Sequence, residues 1–195
     1  MSHTKKHTYL WLAAALLFSL LTFIVIGRGL SGKIIVKDSD GIPEAAEAVL
    51  ESLSAGDWTT LSQKVSGEPV LTPLIGPEGS AEEMIYQAYQ NSLRWSCREG
   101  FTLQDSCVIQ HITVTCLDIP GTANAMAAVL AETTADSADP EEREAILYAA
   151  AEQVLADNPP VAQYELALTF LREEKQWRVV PNNSFQALLS GFTTH

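Results

Sequence analysis

The sequence predicts an α+β protein in which an N-terminal transmembrane helix is followed by helices packed on a curved antiparallel sheet. Three observations carry that expectation. An uncharged apolar run fills Tyr9–Ile26. Apolar residues recur at helical spacing in three later stretches, 43–65, 80–95 and 122–157. Strand-like alternation appears between and after them, most clearly where Tyr164, Leu166, Leu168 and Phe170 alternate with Gln163, Glu165, Ala167 and Thr169. The 195 residues divide into a cytoplasmic N-terminus (1–8), a membrane helix (9–27), a juxtamembrane linker (28–42) and an extracytoplasmic domain (43–195).

The run YLWLAAALLFSLLTFIVI holds 18 residues without a charge. As a helix it rises about 27 Å, close to the hydrocarbon thickness of a bilayer. Tyr9 and Trp11 suit the membrane interface, and Lys5 and Lys6 precede the span. The run is longer than the apolar region of a cleaved signal peptide, and Gly29-Leu30-Ser31 is a poor cleavage site. No cysteine follows the run closely, as a bacterial lipoprotein box requires. Basic residues flank both ends, so charge alone leaves orientation open. The signal-anchor position and the acidic domain favour a cytoplasmic N-terminus. Gly27 to Lys33 spells most of a phosphate-binding loop, but Ile34 stands where a magnesium-holding hydroxyl belongs, and a membrane helix precedes it in place of a strand. It reads as a linker.

All 24 acidic residues lie at or after Asp38, where only seven basic residues accompany them, a formal charge of −17 over residues 38–195. Such a field repels phosphate backbones, so nucleic-acid binding is not expected.

Pro43 opens the first domain helix, with Ala46, Val49, Leu50 and Leu53 inward and Gly56 as a left-handed cap. Asp57 caps a short second helix carrying Trp58, Leu61 and Val65. Residues 66–79, rich in proline and glycine, form a loop. Ser80 and Glu83 make a capping box for a helix over 81–95, with Met84, Ile85, Ala88 and Leu93 inward. The period changes at Cys97. Phe101 and Leu103 belong to an extended stretch, residues 104–106 turn, and the β-branched run Cys107–Ile119 returns as the antiparallel partner. Residues 122–157 are helical, first with Met126, Val129 and Leu130 inward. Asp139-Pro140 restarts them, with Ile146, Ala149, Ala150 and Val154 inward. The closing hairpin turns at Arg172–Gln176 into Trp177–Val180. Asn183 or Ser184 caps a last helix bearing Phe185, Leu188 and Leu189, which Gly191 closes.

This order, together with the stretch Leu50–Trp58, the strand Tyr164–Phe170 and the return Gln176–Val179, resembles the nuclear transport factor two-like cone fold, over residues 43–190. Small membrane-anchored bacterial proteins carry such domains. The resemblance implies a curved sheet wrapped around helices, with a concave face that is empty or filled depending on where 122–157 packs. The fold hosts enzymes, pockets and interaction modules alike.

No strong catalytic or metal motif is present. His111, on the predicted strand, is a candidate general base of a cone pocket, with Tyr164 or a carboxylate as support; a hydrogen-bonded or exposed strand histidine is the simpler reading. Cys107, His111 and Cys116 lie on opposite faces of a regular strand, which disfavours a zinc site. No cofactor is implied. The acidic pairs Glu82-Glu83 and Glu141-Glu142 suit helix N-termini, and Glu173-Glu174 suits a turn. An odd number of cysteines (Cys97, Cys107, Cys116) leaves at least one thiol unpaired within the chain, and the disulfide pairing stays open. Trp95 and Trp177 read as packing residues, and Asn182-Asn183-Ser184 matches a glycosylation acceptor. The sequence is most consistent with a membrane-tethered domain, held through 9–27, that binds a protein partner, a small ligand or a second copy at the cell envelope. The alternative is an isomerase, dehydratase or hydrolase-like enzyme using His111.

Overall fold

The computed structural model of the chain describes residues 41–71, 76–104, 106–131 and 139–193. The expected membrane helix and its flanks lie outside them. Among the described residues no helix is long and apolar enough to cross a membrane. The domain is α+β. Its elements run α1 (Ile42–Ser54), α2 (Trp58–Gln63), α3 (Ala81–Ser92), β1 (Arg94–Gln104), β2 (Cys107–Leu117), α4 (Ile119–Ala131), α5 (Pro140–Asp157), β3 (Val161–Glu173), β4 (Gln176–Val179) and α6 (Asn183–Leu189). The four strands lie in the order β1-β2-β3-β4, each antiparallel to its neighbour. The two hairpins are thus joined into one sheet through β2 and β3, and α4 and α5 form the connection between them.

Local chemistry sets the boundaries. Gly56 takes φ +66 just past α1, where an L side chain would be strained. Asp57 accepts the Thr60 amide at 2.9 Å, and Asp139 accepts that of Glu142 at 2.8 Å. Ser80 accepts the Glu83 amide, but Glu83 reaches back to the amide of Gly79 and not to that of Ser80. The Ser80 amide already donates to Pro77. Glu174 and Lys175, both at positive φ, make a tight turn between β3 and β4.

Several expectations shift. The helix over 81–95 ends at Ser92, and β1 begins at Arg94 rather than Cys97. The Ser92 hydroxyl accepts the Leu117 amide, tying the helix end to β2, and Arg94 pairs with Thr115. Strand pairing overrides the helical pattern there. The residues of α3 in the main core are Tyr86 and Tyr89, with Ala88 half-buried against it, Gln90 donating to Leu53 of α1, and Leu93 beyond the helix end. Met84 turns toward α4 and α5 and Ile85 touches both sides, because α3 is sandwiched between two apolar clusters. On α5, Ala150, Ala151 and Val154 are buried while Ala149 is exposed. The last helix is capped by Asn182, whose side-chain oxygen accepts the Phe185 amide, just before both candidates, Asn183 and Ser184.

The main core lies between one face of the sheet and α1, α2, α3 and α6, with Leu50, Leu53, Leu61, Tyr89, Ile112, Leu168, Phe170, Phe185 and Leu188 all sealed from solvent. The phenols of Tyr86 and Tyr89 donate to the carbonyls of Leu189 and Leu188, satisfying the last turn of α6 inside this core. The connection α4–α5 packs mainly on the far side of α3, with Ala81, Met126, Ala150, Ala151 and Val154 in one cluster, while its Ile119 and Leu155 reach the main core. The helix-covered face is closed by the N-terminal helices, α6 and Phe192.

Candidate functional site

The period of two divides β2 cleanly. Val108, Gln110, Ile112, Val114 and Cys116 are buried under the helices, while Cys107, Ile109, His111, Thr113 and Thr115 stand half-buried on the opposite face. Registration adds Phe101 of β1 and Ala167, Thr169 and Leu171 of β3 to that second face. None of these side chains belongs to either apolar cluster, so among the described residues this face of the sheet is uncovered.

A bulge shapes it. The register of β1 against β2 slips between Cys97 and Gly100. The buried Gln110 amide donates to the carbonyls of Arg98 and His111, spanning the bulge. Gly100 is needed for this, since a Cβ there would stand 2.9 Å from the Gln110 side-chain oxygen. Displaced by the bulge, Arg98 reaches across β2 to Glu165 at 3.1 Å. Beside this ion pair Phe101 meets His111 edge to face, with 5.2 Å between ring centroids and 85° between planes. Thr113 Oγ1 is buried with no hydrogen-bond partner among the described residues. Arg98, Glu99, Phe101, His111, Thr113 and Glu165 line a shallow cavity of about 560 Å³.

His111 and Tyr164 are not brought together. His111 pairs across the sheet with Ala167 on the open face, whereas Tyr164 pairs with Val114 on the covered face and stacks on Phe192. The Tyr164 hydroxyl is held above its ordinary pKa by burial first, then by the Asp118 carboxylate and Cys116. It therefore stays a neutral phenol. Among the described residues the imidazole of His111 has its ring contact with Phe101 and makes no hydrogen bond, so no carboxylate orients it as a base.

The carboxylate pairs act locally. Glu83 caps α3 and accepts from Gln87, Glu141 and Glu142 sit in the first turn of α5, and Glu173 accepts from Ser66. The three cysteines are free thiols, Cys107 on the open face and Cys97 and Cys116 on the covered one. Among the described residues no cluster of three His, Cys, Asp or Glu could hold a metal ion. The side chain of Asn182 is engaged at both ends, capping α6 and donating to Thr169, which leaves its nitrogen tied inside the fold.

A second cavity, of about 510 Å³, escaped the sequence reading. It opens between α3, α4 and the segment after α6, against Ile85, Tyr86, Ile119, Ala123, Met126 and Ser190. The one sequence signal for it is alanine at 123 and 127 where α4 needs larger side chains to close against α3.

No family model matches the chain, and no curated protein matches it. Among solved structures it is similar to a candidate lipoprotein of Bacillus subtilis, at TM-score 0.44 and 13% identity over 77% of this chain and 45% of that one. It is also similar to a candidate calcium/calmodulin-dependent protein kinase II association domain of Xanthomonas campestris, at TM-score 0.32 and 10% identity over 68% of this chain and 76% of that one. The chain thus spans less than half the length of the first. Overlaps this loose fit an α+β outline and place the chain in neither group.

Proposed function

We propose that the chain is a membrane-tethered, extracytoplasmic domain that acts by binding, not by catalysis, and that the open face of its sheet docks on a second copy of the chain at the cell envelope. The observation that carries the reading is the composition of that face. Phe101, Ile109, His111, Ala167 and Leu171 make an apolar centre in an otherwise strongly acidic domain. Apart from Glu99 in the bulge, the carboxylates beside it, Glu165 and Glu173, are each paired with an arginine, Arg98 and Arg178. Interfaces deplete unpaired charge at their centres in this way. A second copy fits because the face carries both signs and can meet its own image.

Size supports the same occupant. Three strands of about ten residues cover roughly 35 Å by 15 Å, so two such faces bury on the order of 1,000 Å², the lower end for specific association. The tether rests on the 18-residue uncharged run at Tyr9–Ile26, and it would raise the local concentration of copies. The cone-like reading of the domain rests on the residues quoted for the resemblance. The enzyme alternative loses support, since its two candidate groups stand on opposite faces of the sheet.

The test uses the full chain in its native membranes. Alkaline carbonate should leave it in the pellet, and protease added outside should digest the domain. A bismaleimide should link two chains through Cys107, and Ala167→Arg should abolish that link while the melting temperature holds. Release by carbonate, or dimers indifferent to Ala167→Arg, would refute the reading.

A further inference from the structure

From the second cavity we infer a binding site for an amphiphile with a hydrocarbon chain and a cationic head. This goes beyond the sheet-face reading and is independent of it, because the cavity lies on the far side of α3 from the sheet. Its wall is apolar, formed by Ala81, Ile85, Ile119, Ala123, Met126 and Leu147. The polar groups that line it are already spent inside the chain. Tyr86 donates its hydroxyl to Leu189, Ser190 to Ala187 and Thr193 to Ser190. A ligand that needs directional hydrogen bonds therefore finds few there, whereas a hydrocarbon chain loses nothing by entering and gains burial. About 510 Å³ lies within the range of small-molecule sites.

The head group is set by charge. Glu82, in the first turn of α3, is the residue of the lining that carries a charge at neutral pH. The helix N-terminus beside it already carries two carboxylates, Glu82 and Glu83, in its first turn, and Ser80 takes the amide of Glu83. The formal charge of −17 over residues 38–195 adds to the repulsion of an anionic head. An alkylammonium meets the opposite conditions, with Glu82 as its counter-charge.

The test places the full chain in nanodiscs of phosphatidylcholine. Two photoreactive probes are compared, a long-chain alkylamine with a diazirine near its tail and the carboxylate of equal length. Photolysis and peptide mapping should place the amine on α3 and α4, at or near Ile85 and Met126. The amine should exceed the carboxylate at least about fivefold, as one charge reversal near a partly solvated carboxylate gives. Ala123→Trp, which fills the cavity, should remove this labelling while the circular dichroism spectrum stays native. If that variant misfolds, Ala127→Leu is used with the same expected loss. Glu82→Gln should bring the two probes to near parity. Wall labelling that survives filling, equal labelling of the native chain by both probes, or no wall labelling overturns the inference.

Discussion

The ring of Tyr164 lies flat on that of Phe192, with 3.8 Å between centroids and 5° between planes. The contact joins β3 to the segment after α6 and closes the end of the helix-covered face. It shows what a tyrosine in a strand's alternating pattern packs against here. Tyr164→Phe keeps the ring and should change unfolding free energy by less than about 0.5 kcal/mol. Tyr164→Ala and Phe192→Ala should each cost about 2–4 kcal/mol, with a coupling of about 0.5–1.5 kcal/mol in the double variant. Urea unfolding of the set measures all three. Strictly additive alanine variants would show that the stack contributes nothing.

Much of the fold was legible because its signals are local. The caps at Asp57, Ser80 and Asp139 and the alternation of Tyr164–Phe170 each depend on a few adjacent residues, and each appears where the pattern puts it. The failures are tertiary. Nothing local tells the helix over 81–95 to stop at Ser92, because the cause is a hydrogen bond to Leu117 on another element. Likewise the face of α3 is decided by two partners, so its tyrosines and Ala88 meet the main core while Met84 meets the second cluster. The candidate site was half legible. Strand parity correctly separates Cys107 and His111 from Cys116, but pairing His111 with Tyr164 needed the β2–β3 register, which no single strand contains.

Gly191 tests how tightly the segment after α6 is held. It sits at φ +65, and a Cβ there would approach Ile119 Cδ1 to 2.2 Å. Ile119 borders the second cavity, so its side-chain end can swing into open space. The remaining cost of Gly191→Ala is then backbone strain, about 1 kcal/mol. Thermal melts should show a loss of that order, and Ile119→Val should reduce any further loss. A loss several times larger would mean that Ile119 cannot move.

The thiols should react in an order set by their faces. Cys116 is 1% exposed, and its thiol is pushed up to about 12, by burial first and then by Asp118. Burial, with a smaller contribution from Glu47, also raises the Cys97 thiol. Cys107 is half-buried on the open face. With iodoacetamide at neutral pH the native chain should be alkylated first at Cys107, and Cys116 only as fast as the fold opens, since the thiolate is the nucleophile. Mass spectrometry of timed digests reads the order, and early modification of Cys116 would contradict the packing.

Alkaline stability should depend on the tyrosines that hold α6. Burial raises the hydroxyl pKa of both Tyr86 and Tyr89 far above the ordinary 10, because a phenolate in the core loses its solvation and cannot donate to Leu189 or Leu188. In the unfolded chain both groups titrate near 10. Each raised group therefore contributes stability that is complete below that pH and is lost as pH climbs above it. Each tyrosine should then steepen the loss by up to about 1.4 kcal/mol per pH unit. Cys116, at about 12 against 9.0 for a free thiol, adds its own loss between those two values. Tyr89→Phe should cost about 0.5–1.5 kcal/mol at neutral pH, because the Leu188 carbonyl loses its short phenol bond and keeps the longer one from the Gly191 amide. The same variant should show a shallower decline above pH 10, so its curve and that of the native chain converge as pH rises. Unfolding in urea from pH 8 to 11.5 measures both effects, and parallel curves would show that the phenol is not sealed in the core.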